Sequence, residues 1–189
     1  SHPQTLFIIR AHPDELRPGT RKQSRQSVAH WVTQNQVDLF PNVVFIGSSD
    51  YMSSYALIER SHFVMVYNSS VGLEASIMGK PVLCGGAARY TQYNTVFSSA
   101  GAEEYIAQAK TFLDADKVEQ PLEFVKEARR VLFFQLYKTS LPFAEYLEPH
   151  SRMGYVRLKS FPPDALLPKN SPAIAAIRDG ILGNKPFLV

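Results

Sequence analysis

HFVMVYNSSVGLEASIMGKPVLCGG, residues 62–86, reads as an apolar strand, a small hydroxyl turn, a short helix, a second apolar strand and a glycine pair. Ser69 and Ser70 stand where the helix begins, so their hydroxyls and the first free backbone N–H groups converge there. The helix dipole adds partial positive charge at the same point. A phosphate is the usual guest of such a turn, although a serine cap can equally serve its own helix and nothing else. With Ser70 as N-cap, Glu74 is the fourth helical residue, one place beyond the capping-box position, and is expected to point outward from the first turn. Beside a phosphate its carboxylate would be repulsive unless it accepted hydrogen bonds from sugar hydroxyls. Phosphate at the cap with ribose at the glutamate is a nucleotide arrangement; the plainer reading of Glu74 is a solvated acid favoured by the helix dipole. Gly79 suits the left-handed residue beyond a helix end, and Pro81 cannot continue the helix. Gly85-Gly86 would let a ligand approach the backbone closely.

Outward from this block the chain alternates short apolar runs with helical patterns. Thr5–Ile9, Val43–Ile46 and Phe63–Tyr67 read as strands, Pro81–Cys84 as a fourth, and Thr95–Phe97 as a weaker fifth. Helices are expected over Lys22–Gln36, Ser53–Arg60, Ala102–Leu113 and Leu122–Thr139. In the last of these, Leu122, Val125, Ala128, Leu132 and Leu136 form one stripe expected to face the core. The alternation predicts an α/β fold, a three-layer Rossmann-like parallel sheet covered by helices on both faces. In such a sheet ligands bind beyond the carboxyl ends of the strands. Four consecutive strand exits there carry ligand-type residues: Arg10 with His12-Pro13, Gly47-Ser48-Ser49, Asn68-Ser69-Ser70, and Gly85-Gly86 followed by Arg89-Tyr90. His12 could donate to a phosphate or return a proton to a leaving group, or its ring could bond nearby backbone. Arg17 and Arg21 are loop arginines beside Arg10. Tyr90 and Tyr93 either line a base or sugar pocket or pack the loop. The domain is expected over residues 1–140. Residues 141–189 hold seven of the thirteen prolines and read as an extension wrapped over a surface, with one short helix near Ala173–Leu182.

The 189 residues suffice for one well-buried domain. A hydrophobic fraction of 45% and a charged fraction of 20% are ordinary for a globular protein. The net charge of +3 admits an anionic ligand, but there is no Lys/Arg run, so no nucleic-acid partner is expected. The single cysteine, Cys84, lies in an apolar strand and is read as a buried structural thiol in a reducing compartment. His2, His12, His30, His62 and His150 show no metal-ligand spacing, and no metal is expected. No transmembrane stretch is visible. The missing initiator methionine reads as the mark of an excised piece.

The residues FIIRAHPDE and VFIGSSDYMSSYALIERSHFVMVYNSSVGLEASIMGKPVLCGGAARY carry a resemblance. From about Leu6 to Ser140 the chain resembles the carboxyl-terminal, nucleotide-sugar-binding half of GT-B glycosyltransferases of the bacterial capsule polysaccharide biosynthesis type, which includes Kdo transferases. That family's pattern is a basic residue with HP, a Ser/Thr pair before G-x-E-A, then GKPV. Here these are Arg10 with His12-Pro13, Ser69-Ser70, Gly72 with Glu74, and Gly79 to Val82. Two departures are mild: RAHP stands for RPHP, and Ser-Ser for Ser-Thr.

The resemblance implies that His12, Ser69 and Ser70 hold the nucleotide phosphate and that Glu74 engages the ribose. By their place at the strand exits, Ser48, Gly85, Gly86, Arg89 and Tyr90 would complete the donor site, with His12 as the catalytic group. Related GT-B sialyltransferases use similar HP and Ser-Ser motifs for a CMP-sugar, which admits a cytidine donor. The nucleotide-sugar is a substrate, so no cofactor is expected. In the family the glycan acceptor and usual base belong to an N-terminal domain that this sequence lacks, so the chain alone is expected to be inactive. The implied place is the cytoplasm, peripheral to the inner face of the bacterial membrane. Three alternatives share the fold: a nucleotide-sugar 2-epimerase, a polymerase of the teichoic-acid kind, and a non-catalytic nucleotide-binding module.

Overall fold

A computed structural model describes residues 2–16, 25–152 and 155–188. In chain order the regular elements are β1 (Phe7–Arg10), α1 (Val28–Gln34), β2 (Val43–Ile46), α2 (Ser54–Arg60), β3 (Val64–Val66), α3 (Val71–Ile77) and β4 (Val82–Cys84). There follow β5 (Phe97–Ser98), α4 (Ala102–Asp114), α5 (Leu122–Tyr137), β6 (Leu147–Pro149), β7 (Val156–Leu158) and α6 (Pro172–Gly183). The fold is the mixed α/β class that the alternation predicts, with parallel strands flanked by helices, a Rossmann-like half-domain.

β4 explains the layering. Val82, Leu83 and Cys84 are each at most 1% exposed, and successive strand side chains point to opposite faces. Val82 and Cys84 join one cluster with Leu73 and Ala75 of α3, Ile58 of α2 and Ala128 and Val131 of α5. Leu83 points the other way, against Ala109 and Phe112 of α4. The strand is thus sealed on both sides, and it pairs in parallel with β3 on one edge and β5 on the other. Gly79, at φ 80°, makes the left-handed turn out of α3 that delivers the chain to β4.

The parallel pairing is divided into two ladders. β1 pairs with β2 from Phe7↔Val43 to Arg10↔Ile46, and β3, β4 and β5 form the other. The outer face of the first ladder carries the paired Ile8 and Val44, both exposed. The helix predicted from Lys22 starts at Val28 among the described residues, where Ser27 accepts from the His30 N–H and the Glu15 carboxylate accepts from that of Val28. The antiparallel pair β6–β7 was not predicted. Its charged Glu148 and Arg157 stand directly opposite one another, 3.3 Å apart, and pair across the strands.

The stripe expected on α5 needs correction. Ala128 is fully buried, Val131 is buried with it and Leu132 packs against them, but Leu122 and Leu136 are exposed. Alanine at 128 lets α5 approach α3 closely. Ala128→Leu should therefore overpack that contact and cost about 1–3 kcal/mol. In a urea titration the midpoint should fall with the slope unchanged; an unshifted midpoint would deny Ala128 this role.

Candidate functional site

The strand exits are tied together by side chains rather than by sheet hydrogen bonds. Arg10, the last residue of β1, donates from Nε to Ser54 Oγ (3.2 Å) and from its other nitrogens to the carbonyls of Gly47 (3.3 Å) and Met52 (3.0 Å). All three donors thus secure the β2 exit and the start of α2 to β1. Arg10 is therefore a clasp, with three of its five N–H groups engaged by the protein. Arg17 and Arg21 lie outside the described residues. The next residue along α2, Tyr55, donates from its hydroxyl to Glu74 Oε2 at 2.5 Å. Arg10–Ser54 and Tyr55–Glu74 together carry the connection from the first ladder, through the first turn of α2, to the first turn of α3.

At the mouth of α3, Ser70 has helical backbone angles, φ −58° and ψ −25°, and makes no side-chain cap bond. The capping role passes to Ser69, whose Oγ accepts from the Val71 N–H at 3.4 Å. The expectation that Ser70 caps the helix is corrected by its conformation: a residue already helical turns its hydroxyl away from the N–H groups ahead of it. The Ser70 hydroxyl and the N–H groups of Ser69 and Ser70 consequently have no partner among the described residues. Glu74 is not free as predicted. Tyr55 holds one of its oxygens, and the hydrogen bond and the negative charge of Glu74 together push the Tyr55 phenol up from its usual range.

His12 is exposed, and its Nδ1 accepts from the Asp14 N–H at 3.0 Å. An accepting Nδ1 places the proton of the neutral ring on Nε2, which leaves a donor facing outward. Pro13 opens a 3-10 turn over Pro13–Leu16 immediately after it. Ser48 lies in a turn closed by Gly47 N–H to Asp50 Oδ2 (2.6 Å), with its own hydroxyl unpartnered among the described residues. Arg89 is exposed, and its guanidinium also has no partner there.

Three glycines and one tyrosine turn out to serve the chain itself. Tyr90 is 4% exposed, and its hydroxyl donates to the Ser69 carbonyl at 2.6 Å. It props the serine turn from beneath and does not line an open pocket. A Cβ at Gly72 would lie 2.5 Å from that hydroxyl and 2.9 Å from Val66. A Cβ at Gly85 would press on the Tyr105 ring, and one at Gly86 would come within 2.7 Å of the Tyr67 carbonyl and 3.0 Å of its ring. The close approach that glycine permits is thus made by this chain's own tyrosines. Tyr55, Tyr67 and Tyr105 went unrecognised in the sequence. Their only signal is an aromatic ring at a strand exit or in the first turn of the helix that follows one, which packing residues share.

Two cavities lie elsewhere. One of about 510 Å³, lined by Ser61, His62, Lys80, Lys117 and Gln120 among others, sits at the opposite ends of β3 and β4. The other, about 690 Å³, runs along α5.

The Tyr90 phenol offers a test of the buttress. Burial, then the neighbouring Cys84, raise its pKa well above the usual 10.0. Above pH 10 the unfolded chain loses this proton while the folded one keeps it, so stability is complete below that pH and falls as pH rises. Tyr90→Phe should show a shallower alkaline loss in urea melts from pH 9 to 11, and an unchanged slope would contradict the assignment.

A protein-family model described as capsule polysaccharide biosynthesis protein matches residues 1–96. That span ends just before β5 and contains every site residue expected from the sequence. No curated protein and no solved structure matches the chain. With half of its length matched, from β1 through the Tyr90 turn, this chain belongs to the capsule polysaccharide biosynthesis protein family.

Proposed function

We propose that this domain holds the nucleotide of an activated sugar, and that it is the donor half of a glycosyltransferase working in capsule polysaccharide synthesis. The observation that carries the reading is the α3 mouth: one hydroxyl and two backbone N–H groups without partners, in the same turn as a carboxylate held in place by Tyr55. Three donors beside the positive end of a helix suit phosphate oxygens. The unengaged oxygen of Glu74 suits a ribose hydroxyl.

In transfer, the bond from the anomeric carbon to the phosphate oxygen breaks while an acceptor hydroxyl oxygen bonds to that carbon. The acceptor proton goes to a base on a second domain, and the negative charge goes to the departing nucleotide. Donors that meet this charge as it develops lower the barrier. Ser70, the two N–H groups, the Nε2–H of His12 and the unpaired Arg89 are the groups here that could do so. Tyr55 would act through Glu74 as a positioning residue.

Calorimetric titration of the chain with CMP, UDP and GDP tests the reading. One of them should bind at millimolar concentration or tighter. Ser70→Ala should weaken it by on the order of ten- to a hundredfold, since one hydrogen bond to a charged group is worth about 1.5–3 kcal/mol. Glu74→Ala should lower affinity for the ribonucleotide more than for its deoxyribose counterpart, and Tyr55→Phe should show the same bias to a smaller degree. Absence of binding, or affinity untouched by Ser70→Ala, would refute the site.

A further inference from the structure

α5 is apolar on two sides. At roughly 100° per residue, Ala128, Val131 and Leu132 share the side packed into the core. Arg129, Phe133 and Tyr137 form a stripe at every fourth residue, and Arg130, Phe134 and Lys138 form the next one. The midline of these two stripes lies roughly 180° from the core side. Phe133 is 54% exposed, Phe134 46%, Leu136 54% and Tyr137 65%. The rings of Phe133 and Tyr137 lie 5.0 Å apart. Leu188 reaches the same place, so that Arg129, Arg130, Phe133, Phe134, Lys138 and Leu188 line one groove of about 690 Å³.

Charge decides what would cover this face. Arg130 is paired with Glu127 and, at 3.7 Å, with Glu123. Arg129 and Lys138 have no acid partner among the described residues. The surface therefore presents a patch of apolar and aromatic side chains flanked by unneutralised cations. A second copy related by a two-fold axis would set these cations near their own equivalents, which is unfavourable. An anionic lipid surface satisfies both halves of the patch at once. Phe133 and Phe134 would enter the headgroup–acyl boundary, Tyr137 would lie at the interface, and Arg129 and Lys138 would extend their heads to the phosphates.

We propose that the outer face of α5, from Arg129 to Lys138 together with Leu188, docks on an anionic bilayer surface. No helix among the described residues is long and apolar enough to cross a membrane, so attachment by this face is peripheral and reversible. It concerns the opposite side of α5 from Ala128 and is independent of whether α3 holds a nucleotide.

The test is co-sedimentation of the 189-residue chain with phosphatidylcholine vesicles, with and without phosphatidylglycerol. The protein should pellet with the anionic vesicles, less so as salt is raised, and stay in solution with phosphatidylcholine alone. Reversing two charges, Arg129→Glu with Lys138→Glu, should lower the partition coefficient by on the order of tenfold or more. Phe133→Ser with Tyr137→Ser should lower it while leaving the charge intact. These positions are solvent-facing, and circular dichroism checks that each variant folds; the charge pair stands alone if the aromatic pair does not. Failure to pellet with phosphatidylglycerol vesicles, or equal binding by folded variants, would overturn the proposal. So would a dimer in sedimentation equilibrium that Phe133→Ser dissolves, since the face would then belong to a second copy.

Discussion

Everything in this structure depends on a three-residue strand that touches no water. Val82, Leu83 and Cys84 leave their backbone groups no solvent partner, so they must be hydrogen-bonded within the protein. Parallel neighbours on both edges supply those bonds. Full burial of Val82 and Leu83 is worth about 1.5–3 kcal/mol each, but only if helices cover both faces. The alternation of side chains assigns α4 to one face and α3 and α5 to the other. Parallel strands leave the sheet at one end, and that end is where the serine turn and the glycine pair must lie.

The ends of the strands are in turn held by hydroxyls and rings. Tyr90 bonds the Ser69 carbonyl from below, while Tyr67 and Tyr105 occupy the space that side chains at Gly86 and Gly85 would need. Arg10 uses its guanidinium on Ser54, Gly47 and Met52. A polar residue at a strand exit can thus be engaged chiefly in fixing the loop. What remains available is a smaller set: the Ser70 hydroxyl, two N–H groups, the outward nitrogen of His12, Ser48 and Arg89. The division into supporting and available groups narrows the site, because the second set can meet a phosphate without loosening the loops that the first set holds.

The order of strands and helices was legible because its signals are local. Val43–Ile46 was bounded as observed, α2 and α4 differ from their expected limits by one residue at one end, and α6 by one residue at each end. Gly79 and Pro81 mark the α3 exit by backbone conformation alone. The errors arose where distant residues decide. Ser70 looked like a cap, yet whether a serine caps depends on its own φ and ψ, set here by a turn that Tyr90 supports. Glu74 looked free until Tyr55, nineteen residues earlier, supplied a donor. Leu122 and Leu136 fit the α5 period, but only the α3 contact chooses which side of an apolar helix faces inward. The β6–β7 pair escaped because its strands are three residues long and carry a proline and facing charges rather than an apolar alternation.

That last property of α5 has a physical meaning beyond the stripe it misled. A helix serving only one core needs a single apolar side, and the opposite side is ordinarily polar. Exposed aromatic residues at 133, 134 and 137 are therefore not accounted for by the core that Ala128 and Val131 join. Nor do they add solubility. Their cost is a contiguous apolar surface that monomeric proteins generally avoid, and the nearby Arg129 and Lys138, without an acid partner among the described residues, limit which partners can relieve it. Because the inward and outward sides are separated around the helix, the two can be altered independently: changes at Ala128 act on stability, and changes at Phe133 act on whatever the outer face meets.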